Sequence, residues 1–149
     1  MSEPTTATAA TTEDRRLAHG PGRLLLLLYG VFAVGAASRS GYQLATRFDE
    51  APLAYLLSAV AALVYAVITV CLARGGERSR RVGLVGCGIE LVGVVTVGTW
   101  SVVDPGAFPD ATVWSDYGLG YLLLPVVLPL TGLRWFGPFT HRRTAGTAD

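Results

Sequence analysis

The chain has 149 residues, 51% of them apolar and only 15% charged, with a formal net charge of +1. Soluble domains carry about 25% charged residues; here the charges also collect at the ends and in short connectors, a pattern that disfavours a water-soluble fold and expects lipid as the solvent. There is no basic face with interleaved aromatics, which excludes nucleic-acid binding.

Residues 1–22 are rich in Thr, Ala and charge, without apolar periodicity, and read as a disordered cytoplasmic tail. A first membrane span is predicted over about 24–44: its stretch 24–37 carries no charge, and its last turns hold Ser38, Arg39, Ser40 and Gln43. Pro52 suits the first turn of the next helix, where its missing N–H needs no partner. The second span, 53–73, has no charged residue and at 1.5 Å per residue is about 30 Å long, the thickness of the hydrocarbon core. RGGERSRR, residues 74–81, is a turn followed by positive charge. The third span, 82–103, holds one acid, Glu90. The connector 104–116 carries Pro105, Gly106, Pro109 and the acids Asp104, Asp110 and Asp116, with no basic residue. A fourth span is predicted over 117–133; its Pro125 and Pro129 are tolerable in a membrane helix and free the carbonyls of Tyr121 and Pro125. Residues 23–136 thus form one membrane domain and 137–149 a second disordered cytoplasmic tail. The expected fold is all-α, an antiparallel bundle of four transmembrane helices.

Every basic residue is arginine. Arg15, Arg16, Arg23, Arg74, Arg78, Arg80, Arg81, Arg134, Arg142 and Arg143 fall on one side of the predicted spans, Arg39 and Arg47 on the other. The positive-inside rule makes the arginine-rich side cytoplasmic, with both termini inside a plasma membrane and the aspartate-rich connector outside. Trp100, Trp114 and Tyr117 then form an outer aromatic belt, Trp135 and Phe136 an inner one. A competing reading of the first span is a secretory signal cut after Ala37, suggested by the Arg15–Arg16 pair, the apolar run and the small residues Gly35 and Ala37. No internal repeat divides the chain into similar halves.

Small residues favour close helix packing in lipid. Ala54, Ser58, Ala62 and Ala66 recur every four residues in the second span, and Ala33, Ala37, Gly41 and Ala45 in the first, which predicts a tight pair. The third span is glycine-rich, with Gly83, Gly86, Gly88, Gly93 and Gly98, and is expected inside the bundle, with a homodimer face as the alternative.

Glu90 is the most informative residue. It lies about 12 Å from the cytoplasmic end of its span, where an ionised carboxylate is costly unless paired or hydrated. Tyr65 falls at matching depth and is the expected hydrogen-bonding partner. Two readings stand: a proton-coupled site, or a permanently hydrogen-bonded tie between spans. A weaker candidate is an outer vestibule of Arg39, Gln43, Ser58, Thr96, Thr99 and Trp100, suited to an anion or a lipid head group. Arg39 otherwise snorkels or pairs with Asp104 or Asp116, and Thr or Ser in membrane helices often bonds its own helix. Asp49, Glu50, Asp104, Asp110 and Asp116 read as solvated acids without calcium-ligand spacing. His19 and His141 have no metal-ligand partner at helical spacing. Cys71 and Cys87 form no CxxC and read as small apolar core residues. No P-loop, GxSxG, HExxH or Rossmann fingerprint appears, so no metal, cofactor or catalytic centre is expected.

The Thr/Ala-rich arginine tail, the RGGERSRR turn and the four Ala/Gly/Val spans together resemble the small, mostly uncharacterised four-span proteins of actinobacterial membranes; the resemblance covers the whole chain and carries over no functional residue. Small multidrug exporters differ in placing their essential acid in the first helix, and four-span quinone-linked thiol oxidoreductases in having a CxxC. The expected role is a non-enzymatic structural or accessory subunit in the lipid bilayer, as a homodimer or in a larger membrane complex. The alternative is a small proton-coupled transporter or channel using Glu90.

Overall fold

Proline sets where the first two helices begin. In the computed structural model, which describes residues 20–137, Pro21 opens α1 (Pro21–Thr46) and Pro52 opens α2 (Pro52–Arg74), positions where the fixed φ suits the helix and no N–H is lost. The predicted tails, residues 1–19 and 138–149, lie outside the described residues; Pro21 and Gly22, assigned to the first tail by sequence, are helical. At Gly75 the backbone is left-handed (φ 64°), which ends α2 and lets α3 (Gly76–Val103) start at once. RGGERSRR is therefore not a loop beyond its two glycines. Arg74 closes α2 and the other charges form the first turns of α3, where Glu77 pairs with Arg80 at 2.7 Å and Arg81 at 3.0 Å, the favourable i,i+3 and i,i+4 spacings.

Beyond α3 a short 3-10 turn, Pro105–Ala107, and a second 3-10 segment, Ser115–Tyr121, lead to α4 (Leu124–Phe136). The fourth span predicted over 117–133 is thus not one helix. Asp116, Tyr117 and Gly118 are left-handed, Leu122 and Leu123 are again left-handed, and the two helical pieces meet at 96°. Gly118, Gly120 and Pro125 deprive this stretch of helix propensity, and regular helix resumes only where Pro125 occupies a first turn. Pro125 consequently frees no carbonyl at Tyr121, whereas Pro129, inside α4, does deprive Pro125 of its helical donor. Among the described residues three helices are long and apolar enough to cross a membrane, and a fourth crossing exists only if the bent pair counts as one. Among the described residues there is no strand.

Apolar side chains cover the outside of the fold as well as filling most of its core. Val31, Val34, Leu63 and Val92 are each more than 60% exposed, while Glu90, Tyr29 and Tyr65 have no exposed surface. Large contiguous apolar surface around a polar centre is what a hydrocarbon solvent selects.

Burial also shows how the small residues are used. On α1 the buried row is Gly22, Leu25, Tyr29, Ala33, Ala36, Ser40 and Gln43; on α2 it passes through Ala54, Ser58, Ala61, Ala62 and Tyr65 to Ile68. A strict four-residue spacing drifts about 40° per step around the helix, so Ala37, Gly41, Ala45 and Ala66 have turned outward and are exposed. Ala62→Leu should therefore overpack the α1–α2 seam and lower stability by about 1–3 kcal/mol, while Ala66→Leu stays within about 0.5 kcal/mol. Thermal unfolding of the two variants in detergent reads the difference directly.

On α3, glycines receive large side chains from its neighbours. A methyl group at Gly83 would meet the Phe136 ring, at Gly86 Ile68, at Gly93 the Trp114 indole and at Gly98 Tyr117. Gly88 faces open space.

Candidate functional site

A group of polar side chains lies fully buried among the helices. Glu90 projects from α3, and its Oε2 accepts a hydrogen bond from the Tyr29 hydroxyl of α1 at 2.8 Å. The same hydroxyl lies 3.7 Å from Cys87 Sγ, one turn earlier on α3. Gly132 brings α4 into the cluster: a side chain there would collide with Cys87 Sγ and come within 3.5 Å of the Tyr29 hydroxyl. The Tyr65 hydroxyl of α2 is turned toward both Glu90 and the Trp114 indole, without closing a hydrogen bond to either. Glu90 Oε1, the Tyr65 hydroxyl and Trp114 Nε1 are buried atoms with no hydrogen-bond partner among the described residues.

Depth counting along the sequence points to Tyr65, and the structure places Tyr65 beside Glu90; the residue that bonds the carboxyl group is Tyr29. Its signal was present, since Tyr29 is the one hydroxyl-bearing side chain in the stretch 24–37. Trp114 also departs from expectation. It is not at an outer interfacial belt but 3% exposed, its ring laid over Gly93, because the connector folds inward along α3.

From this centre a row of rings runs toward the other end of α1. Tyr29 packs on Tyr65 (6.1 Å between centroids), Tyr65 on Phe32 (5.8 Å) and Phe32 on Tyr121 (6.0 Å), within the range of favourable tilted and edge-on pairs. The Tyr121 hydroxyl then accepts a hydrogen bond from Arg39 Nη1 at 2.6 Å.

Arg39 belongs to a second cluster built around Asp110. Its Nη2 reaches Asp110 Oδ1 at 3.4 Å and the Ala111 carbonyl at 3.3 Å, and Gln43 Nε2 donates to Asp110 Oδ2 at 2.9 Å. The buried Tyr55 turns its hydroxyl toward the same carboxylate. Arg39 thus pairs with neither Asp104 nor Asp116. Asp110 wins because the turns at 105–109 fold it back over α1. Two of the predicted vestibule residues, Arg39 and Gln43, meet here. Thr96 and Thr99 bond their own helix at the Val92 and Val95 carbonyls, Thr99 also contacts the Tyr117 hydroxyl at 3.0 Å, Trp100 stacks edge-on with Phe108, and Ser58 is buried on α2. None of these four hydrogen-bonds to Arg39 among the described residues. Among the described residues no group of three or more His, Cys, Asp or Glu is placed to hold a metal ion, and Cys71 and Cys87 are free thiols.

The Asp110 cluster straps the connector to α1 and α2. Asp110→Ala should lower stability by about 1–2 kcal/mol, because it leaves the Arg39 and Gln43 donors short of an acceptor, while Asp104→Ala, at an exposed position, stays within about 0.5 kcal/mol. A denaturation series in detergent comparing the two, with Arg39→Ala as the partner of a double-mutant cycle, measures the strap.

No protein-family model, no curated protein and no solved structure matches the chain.

Proposed function

We propose that the chain is a four-span protein of the cell membrane, an antiparallel bundle with both termini cytoplasmic, and that it serves as a small non-enzymatic structural or accessory subunit, as a homodimer or within a larger complex. The observation that carries this reading is the use made of Glu90: it is bonded to Tyr29 of α1, faced by Tyr65 of α2 and backed by Gly132 of α4 through Cys87. Its polarity is spent on joining helices. An interhelical polar contact of this kind supplies register to a bundle whose apolar surfaces match lipid as well as they match each other. The excess of arginine at one rim supports the orientation. The first span is retained on this reading, because a cut after Ala37 would take Tyr29 away from Glu90.

One observation favours a second reading, proton-coupled transport: Glu90 Oε1, the Tyr65 hydroxyl and Trp114 Nε1 are buried polar atoms without partners among the described residues, and intramembrane acids commonly mark proton routes. Two measurements on the purified protein separate the readings. The accessory reading expects a fixed stoichiometry with a second polypeptide or a second copy after mild detergent extraction, and no pH-driven flux in liposomes. Flux that Glu90→Gln abolishes would replace it with the transporter. The orientation is tested by Ser79→Cys, which should react with an impermeant thiol reagent only from the cytoplasmic side, the native cysteines being buried.

A further inference from the structure

Where α2 ends and α3 begins, the two helices enclose an open groove of about 380 Å³. Ala66, Val67, Val70 and Val82 form its walls. Arg74, Arg78 and Ser79 stand at its mouth. The groove exists because Ala66, turned outward on α2, offers only a methyl group.

Charge around the mouth is divided unequally. Glu77, the one acid of this connector, is held by Arg80 and Arg81, which keep its carboxyl down at about 2. Arg80 also donates to the Phe136 carbonyl at 2.9 Å. Arg74 and Arg78 have no ion pair and no side-chain hydrogen bond among the described residues, and the Ser79 hydroxyl has no partner there either. The α3 N-terminus beside them has no side-chain cap, so its first amides add positive partial charge to the same place.

An apolar slot that ends in two guanidiniums with no ion pair among the described residues complements an amphiphile with a negative head. We propose that this groove binds an anionic phospholipid of the cytoplasmic leaflet, one acyl chain against Ala66, Val67 and Val70 and the phosphate on Arg74 and Arg78, with Ser79 as a further donor. The inference rests on the membrane reading above. Guanidinium binds phosphate oxygens through paired, charge-assisted hydrogen bonds, and basic pockets between membrane helices on the cytoplasmic side are suited to lipid head groups.

The full chain in neutral detergent is titrated with phosphatidylglycerol, phosphatidylcholine or inorganic phosphate, and bound lipid is read by native mass spectrometry. Phosphatidylglycerol should be retained in preference to phosphatidylcholine, and excess inorganic phosphate should not displace it. Arg74→Gln with Arg78→Gln should weaken phosphatidylglycerol binding about fivefold per arginine, roughly thirtyfold for the pair. Ala66→Leu should weaken it by filling the slot while leaving both charges in place, and Arg134→Gln should leave it unchanged. Equal retention of the two lipids, displacement by inorganic phosphate, or an unaltered double variant overturns the proposal. Flotation with phosphatidylcholine vesicles tests the membrane reading separately: a chain that floats but shows no preference among lipids loses only the groove.

Discussion

Glu90→Gln should leave the fold and its stability within about 0.5 kcal/mol of the parent, while Glu90→Ala lowers stability by about 2–4 kcal/mol. The glutamine amide keeps the volume, its oxygen still accepts from Tyr29, and its NH2 can donate toward the Tyr65 hydroxyl. Alanine removes both the acceptor and the filling. The two losses differ in size. Interhelical hydrogen bonds in membrane proteins average only about 0.6 kcal/mol, whereas removing a large buried side chain costs about 2–5 kcal/mol when the site cannot collapse. Collapse is blocked here because Cys87 already touches α4 at Gly132. Glu90→Leu, which fills space but accepts nothing, should fall between them at about 1–2 kcal/mol. Denaturant unfolding in micelles gives the ranking. A glutamine variant as damaged as the alanine variant would mean that the charge itself is needed, and the tie between helices would be the wrong account of this residue.

Most of the long elements were legible in the sequence, for a physical reason: in lipid the helix signal is apolar length, and α1, α2 and α3 each have it. What composition cannot encode is which side of a helix faces in when nearly every side chain is apolar. The four-residue stripes of Ala and Gly carried that information only over two turns, because 3.6 residues per turn rotates the row away; Ala36 and Ser40 took the places that Ala37 and Gly41 were expected to fill. Tyr65 was found by depth, Tyr29 was not, since two helices joined by a short connector fix only the axial position of a partner and leave its rotation open. The fourth span misled more deeply. Read as composition, 117–133 is as apolar as a crossing requires, but Gly118, Gly120 and Pro125 split it. By sequence Asp110 reads as one solvated acid among five. Its role follows from the turns on either side of it, which hydropathy does not see.

Gly98→Ala should lower stability by about 3 kcal/mol, at the upper end of the range for overpacking. The added methyl would lie 2.8 Å from Tyr117 Cδ1, 2.9 Å from its backbone nitrogen and 3.1 Å from its Cα, so backbone as well as the ring would have to yield. That backbone has nowhere to go. Tyr117 sits in a left-handed run with Asp116 and Gly118, each non-glycine residue of which costs about 1–2 kcal/mol in that conformation, and the run is pinned to α3 by the Asp116 amide donating to Ser101 Oγ at 2.9 Å. At membrane depth irregular backbone is tolerated only while protein covers it; lifting 115–121 off α3 would bare its amides to hydrocarbon. Gly93→Ala meets only the far edge of the Trp114 ring and should cost less, about 1–2 kcal/mol. Gly88→Ala meets nothing and should raise stability by up to about 1 kcal/mol through helix propensity. Thermal unfolding ranks the three, and Trp114 emission reports whether the connector has moved. If Gly98→Ala proves as stable as Gly88→Ala, the left-handed run does not rest on α3.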